Sequence, residues 1–179
     1  MNRRADRFVE PTEDPRLTAI APGDERAALM EFLRRQRRTL ELKCAGLDAG
    51  RLARRSVPPS TMSLLGLVRH LADVERAWFR RTMAGLDAPR LYRGARDDGD
   101  FDGAVADDAV VAEAWRVWRA ECAFTDGFVA RAADLDVVGD HHGAAVTLRE
   151  VVLHLIEEYA RHNGHADLLR ERIDGRVGE

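Results

Sequence analysis

Thr147-Leu-Arg-Glu150-Val-Val-Leu-His154-Leu-Ile-Glu-Glu158-Tyr-Ala-Arg-His162-Asn-Gly-His165-Ala-Asp-Leu-Leu-Arg-Glu171 opens with a helix-start signal and continues with a helical period. Thr147 and Glu150 fit a capping box, in which the hydroxyl takes a backbone N–H and the carboxylate reaches back to the cap amide. Leu155, Glu158, His162, Ala166, Leu169 and Ile173 recur at spacings of three and four. That is the stripe a bundle helix turns toward its core. The pattern predicts a helix reaching Arg172 or Ile173, with Gly175 as its C-terminal cap. Glu158 and His162 stand on this stripe where leucine is expected. An unpartnered buried carboxylate costs several kcal/mol, so an ion pair, hydrogen bonds or a metal should accompany it.

Three more helices follow from the same reasoning. The first starts at Asp24, a good N-cap, and runs to about Ala45 with Leu29, Phe32, Leu33 and Leu40 inward. A connection over 46–60 contains Gly46, Gly50, Pro58 and Pro59. The second helix follows Ser60 or Thr61 and lasts to about Ala84, with Gly85 as terminator and Leu64, Leu67, Leu71, Val74 and Trp78 as its stripe. The third spans about 108–133, with Val111, Trp115, Trp118, Cys122, Val129 and Ala132 on one side. Gly127 interrupts it at a propensity cost of roughly 1 kcal/mol. Residues 86–107 are rich in Asp and Gly without a sustained period, and so long a connection lets consecutive helices lie parallel. Neither strand-like alternation nor a solenoid repeat is expected. The expectation is an all-α four-helix bundle over 24–179 as a single domain. Residues 1–23, with Pro11, Pro15 and Pro22, form an extended arm ahead of it.

Composition bounds the function. A chain of 179 residues, 45% hydrophobic and 33% charged, suits a folded soluble domain. A net charge of −3 with both signs interspersed speaks against nucleic acid as the main partner. No apolar run approaches the ~20 residues needed to span a bilayer, and no hydrophobic segment follows the basic residues near Met1. Cys44 and Cys122 lack CxxC spacing and read as reduced, packed thiols, so a cytoplasmic location is expected. Lys43 is the single lysine, a bias toward arginine that hints at a GC-rich bacterial genome.

The chemistry gathers on two helices. His70 lies three residues after Leu67 and four before Val74, so it faces inward. Glu158 and His162 are one turn apart, offset by roughly 40° at ~100° per residue, and can converge on one ion. Two imidazole nitrogens and a carboxylate oxygen suit Zn²⁺ first, and also Ni²⁺, Fe²⁺ or Mn²⁺. Three protein ligands leave a position open for water or substrate. Against this stand blander accounts: a single histidine on an apolar face is ordinarily a hydrogen-bonded core residue, and Glu–His at i, i+4 is often a salt bridge. His154-x₃-Glu158-x₃-His162 is a second arrangement, although three ligands on one straight helix diverge. His165 could support the site or face substrate. His141 and His142 sit in a Gly- and Asp-rich turn where solvent exposure is the default. Asp73 and Glu75 read as solvated, although Asp73 could hold the second ring nitrogen of His70. Trp78, Trp115 and Trp118 read as core.

Leu67-Val-Arg-His70-Leu-Ala, together with Glu158-Tyr-Ala-Arg-His162-Asn-Gly-His165-Ala-Asp-Leu-Leu-Arg-Glu171, resembles the DinB-like superfamily. The likeness is strongest to its uncharacterised actinobacterial branch and to mycothiol-dependent maleylpyruvate isomerase, and it covers about 24–174. The resemblance implies a bundle in up-down-down-up order with a long crossover between helices two and three. It implies a divalent metal on His70, Glu158 and His162, with glutamate at the second place as in the isomerase-like branch. Where many relatives carry glutamine three residues after the last ligand, this chain has His165. The activity implied is a metal-dependent S-transferase using a low-molecular-weight thiol, mycothiol in an actinobacterium, and an electrophilic substrate. Such a scheme needs no protein nucleophile and leaves Cys44 and Cys122 as packing residues. A hydrolase activating water on the same metal would use the same ligands. A reading of another class is a non-catalytic bundle whose metal stabilises the fold or an interface, and a homodimer through exposed helix faces suits either.

Overall fold

The computed structural model describes residues 8–9, 12–17, 23–92 and 98–178. Helix α1 (Glu25–Cys44) starts where Asp24 accepts a hydrogen bond from the Ala27 amide. A one-turn helix α2 (Ala49–Leu52) interrupts the following connection. Helix α3 (Leu64–Glu75) begins at Ser63, whose hydroxyl accepts from the Gly66 amide, so neither Ser60 nor Thr61 is the cap. It runs without a break into a π-helical stretch, Arg76–Met83, and stops before Gly85 at φ +63°. The 86–107 crossover carries its own single turn, α4 (Gly99–Asp102). Helix α5 (Asp108–Arg131) is capped by Asp107 and passes uninterrupted through Gly127. Helix α6 (Leu148–Asp174) has both capping-box hydrogen bonds between Thr147 and Glu150 and ends at Gly175 in the left-handed region.

Two strands, β1 (Val138–His141) and β2 (Ala144–Thr147), pair antiparallel ahead of α6, contrary to the expectation that strands are absent. Each has four residues, too few for alternation to stand out. The two-residue loop, His142-Gly143, has φ of +56° and +87°, the primed-turn geometry that favours a tight hairpin. Gly139 lets this hairpin lie on the π stretch, since a Cβ there would come 2.6 Å from the Thr82 carbonyl oxygen.

The chain is mostly helical. α1 packs on α6, α3 packs on both α5 and α6, and α4 rests on α3. Leu33, Leu40, Leu67, Leu71, Phe79, Trp118, Leu155, Tyr159 and Leu169 are buried among them. Phe32, expected inward, is 48% exposed, because α1 turns Leu33, Arg37 and Leu40 to the interior instead. In the second helix Phe79, not Trp78, enters the core. A π turn holds more than four residues, so Leu71, Glu75, Phe79 and Met83, four apart, stay on one face. Trp78 moves to the flank, half-buried like Trp115, and only Trp118 of the three tryptophans is core.

Glu75 and Asp73, expected in solvent, are both buried. Glu75 accepts from Arg37 at 2.8 and 2.9 Å, from the Thr125 hydroxyl at 2.5 Å and from the Tyr159 hydroxyl at 3.0 Å. Tyr159 in turn accepts from the Trp118 indole at 2.7 Å. One carboxylate thereby joins α1, α3, α5 and α6. Asp73 accepts from the backbone amides of Leu91 and Tyr92, tying the start of the crossover to α3. Phe8 is buried, its ring under the Lys43 ammonium at 4.3 Å and the Arg176 guanidinium at 4.0 Å. The remainder of the arm expected over 1–23 lies largely outside the described residues. Among the described residues no helix is long and apolar enough to cross a membrane.

Candidate metal centre

Helix α6 buries Leu148, Val152, Leu155, Tyr159, Asn163, Ala166 and Leu169. Glu158 and His162, each one position before a buried residue, therefore border the core rather than occupy it. Tyr159 takes the inward place because Glu75 and Trp118 claim its hydroxyl. The side chains of Glu158 and His162 keep 28% and 13% of their surface exposed. From that edge they face His70 on α3. His70, Glu158 and His162 each offer a donor atom within 4.8 Å of the others, and among the described residues they are the only such cluster of His, Cys, Asp and Glu. His162 Nε2 lies 3.3 Å from Glu158 Oε2, and the His70 and His162 rings are 4.7 Å apart at 62°. The three residues expected to converge do so.

Asp100 holds His70, at 2.8 Å from Oδ2 to Nδ1, a role the sequence offered to Asp73 only as the alternative to solvent exposure. Asp73 is occupied by the crossover amides, while α4 delivers Asp100 onto α3, buried to 2% exposure. The delivery is specific. Arg69 donates to the carbonyls of Asp100 and Gly99 at 2.8 and 2.9 Å. A Cβ at Gly66 would lie 2.6 Å from the Phe101 ring, so α4 could not sit as close on any other residue. Burial acts to raise the Asp100 carboxyl. The His70 hydrogen bond and charge, with the backbone amides of Phe101 and Asp100, outweigh it and hold the group below its ordinary range. With Nδ1 engaged, Nε2 is the His70 nitrogen left to serve an ion. Metal-binding histidines ordinarily make this kind of outer hydrogen bond to a carboxylate. In the sequence, only the glycines bracketing Gly99-Asp-Phe-Asp-Gly103 hint at such close packing.

Burial pushes His162 down to about 4, with the nearby His70 adding to the effect against the opposing pull of Glu158. Its imidazole is thus neutral near pH 7, the form that can donate to a cation. The donor set fits a divalent metal on chemical grounds: two imidazole nitrogens, one carboxylate, and a fixed ring on α3. His165 lies beside this set, its Nδ1 3.3 Å from His162 Nδ1. His154 Nε2 lies 3.5 Å from the other Glu158 oxygen, Oε1. Neither is part of the converging group. His141 is not solvent-exposed as expected: it is half-buried and stacks on Trp78 at 4.4 Å, while His142 is exposed. Cys44 and Cys122 are buried and unpaired by disulfide.

Two clefts lie beside the triad. One of about 210 Å³ runs from His70 past Ala77 and Trp78 to Arg81 and Arg90. The other, about 380 Å³, is lined by His154, Glu157, Glu158 and Arg161. Trp78 and His154 touch at a ring separation of 4.7 Å.

Among curated proteins none matches this sequence. Among solved structures, a conserved protein from Enterococcus faecalis superposes with a TM-score of 0.60 at 18% identity, covering 85% of this chain and 98% of that one. At that identity the likeness concerns the fold alone. The sequence also matches the mycothiol-S-transferase family, a DinB-like family, over residues 28–175. That span runs from early α1 to the cap of α6 and includes all three converging donors, and the chain belongs to the mycothiol-S-transferase family.

Proposed function

We propose that this protein is a metal-dependent S-transferase that joins a low-molecular-weight thiol, mycothiol by its family, to an electrophile. His70, Glu158 and His162 are the ligands of a divalent cation, Zn²⁺ first among those the donors suit. The observation that carries the reading is the part-buried Asp100–His70 hydrogen bond, which presents one imidazole to a carboxylate–imidazole couple on a different helix. A cation held there lowers the pKa of a thiol beside it and acts as a Lewis acid. The residues do the remainder. Asp100 fixes the His70 ring, burial keeps His162 neutral, and Glu158 supplies the negative charge that offsets part of the cation's. Helices α1, α3, α5 and α6 form a single four-helix bundle in up-down-down-up order, within a cytoplasmic domain over 24–179. The crossover after α3 is then a working part, because it delivers Asp100.

The deciding experiment is elemental analysis of purified protein followed by assay with mycothiol and monobromobimane. We expect about one divalent cation per chain and a rate above buffer that is lost on chelation. A metal-replete protein that accelerates no thiol, and whose melting temperature no thiol raises, refutes the reading. One observation favours a non-catalytic bundle instead. Glu158 already bridges His154 and His162 at 3.5 and 3.3 Å, an arrangement of polar contacts that can stand without any metal. Metal-free protein as isolated, with no gain in stability on adding Zn²⁺, selects that account.

A further inference from the structure

His162 is engaged at both of its ring nitrogens. Nε2 lies 3.3 Å from Glu158 Oε2, and Nδ1 lies 3.3 Å from Nδ1 of His165. The two rings meet at 5.3 Å and 64°, His165 following His162 by three residues on the same side of α6. The partners differ in what they can do. A carboxylate only accepts, so Glu158 draws the single N–H of the neutral His162 to Nε2. Nδ1 is then a lone pair, and the N–H of its contact belongs to His165. A cation on Nε2 demands the reverse. That nitrogen must offer its lone pair, the N–H of His162 sits on Nδ1, and His165 Nδ1 must accept it.

His70 faces no such change. Asp100, an acceptor at 2.8 Å, keeps a proton on Nδ1 and leaves Nε2 to the ion in either state. A side chain confined to one role would fail at position 165. A carboxylate cannot donate in the empty site, and an ammonium or guanidinium cannot accept in the filled one. A neutral imidazole does both, by exchanging Nδ1–H for Nε2–H.

We propose that His165 is a positioning residue for His162, a partner whose hydrogen bond reverses when a cation binds and so turns His162 from a proton donor into a ligand. This rests on the metal reading of the triad. The exchange balances without added acid or base. His165 passes its Nδ1 proton along the hydrogen bond to His162 Nδ1. His162 gives up its Nε2 proton to water, and water returns one to His165 Nε2. Both rings stay neutral, and both are only partly buried, so water reaches them.

Protein labelled with ¹⁵N in histidine tests this, because long-range ¹H–¹⁵N spectra tell Nδ1–H from Nε2–H in each ring. The spectra are taken at about pH 8, where an imidazole of ordinary pKa, about 6.5, is neutral. Metal-free protein should show Nε2–H on His162 and Nδ1–H on His165. One equivalent of Zn²⁺ should exchange both assignments, while His70 keeps Nδ1–H throughout. Zinc bound by His162 with no change at His165, or a His165 already carrying Nε2–H in metal-free protein, overturns the proposal. Zinc lost in dialysis with unchanged spectra defeats the metal reading itself, and the proposal with it, a result distinct from the other two. Two variants add a readout that packing would not give. His165→Leu should weaken zinc affinity roughly tenfold or more. His165→Asn should keep most of the affinity, because its carboxamide presents an oxygen or an N–H near the place of Nδ1. Competition with a chromophoric chelator measures both; equal losses, or none with leucine, overturn the reversal and leave His165 as packing.

Discussion

Glu75 on α3 is wholly withdrawn from solvent and its oxygens take Arg37, Thr125 and Tyr159, whereas Glu158 on α6 keeps 28% of its side chain exposed and meets two imidazoles. Both are glutamates on helices of the same core, yet only one is saturated. Glu75 has a guanidinium to balance its charge and hydroxyls to fill its lone pairs, so it can bind nothing more. Glu158 faces His162, which burial keeps neutral, and its charge is left uncompensated by any arginine within its hydrogen-bonding set. A complete set of partners marks a carboxylate that holds helices together. An incomplete set beside a cleft marks one available for a cation.

The contrast can be broken by substitution. The largest expected effect is total: His162→Ala should take metal content from about one per chain to none, with the bundle still folded by circular dichroism. Unchanged metal content removes His162 from the ligand set. Next, Glu75→Gln should cost about 3–5 kcal/mol of stability in urea denaturation, because Arg37 is left buried against a neutral amide. Glu158→Gln should cost less than about 1 kcal/mol, as half-exposed positions usually do, while abolishing metal retention. Equal destabilisation by the two glutamine variants would erase the distinction between them. Asp100→Asn should fold and weaken metal affinity roughly 10- to 100-fold, the usual effect of losing an outer partner of a ligating histidine. Asp100→Glu, which keeps the carboxylate, should recover part of it. Competition with a chromophoric chelator measures both, and an asparagine variant with wild-type affinity would leave Asp100 as packing alone.

The smallest effect concerns protons. In metal-stripped protein His162 titrates at about 4 instead of its ordinary 6.5, so between these values the unfolded chain binds a proton that the folded one refuses. Stability from this group is complete above about pH 6.5 and declines as pH falls toward 4. His162→Asn should flatten that part of the stability profile; a variant with the wild-type slope assigns the decline to other groups.

Much of this arrangement was legible in the chain. The capping box at Thr147 and Glu150 and the glycine at 175 are local signals, satisfied by neighbouring residues, and both appear where expected. The convergence of His70, Glu158 and His162 was legible because their spacing puts them beside apolar stripes, although Glu158 and His162 stand one position off the stripe that α6 buries. The features that went unread depend on contacts between distant segments. Glu75 reads as a solvated acid until Arg37, 38 residues away, is brought against it. Asp100 lies in a stretch with no period, and only the docking of α4 gives it a role. Trp78 followed the 3.6-residue rule correctly, but the π turn that Arg76 and Arg80 stabilise through Glu121 changes the phase. His142-Gly143 is a hairpin loop flanked by strands too short to announce themselves.

The withdrawal of both cysteines has a consequence for the thiol chemistry proposed above. Burial pushes the Cys44 thiol up to about 12 and raises that of Cys122 well above its usual value, so neither populates thiolate at neutral pH. The chain's own sulfur is therefore a poor nucleophile, and under the proposed function the protein would withstand the electrophiles it handles.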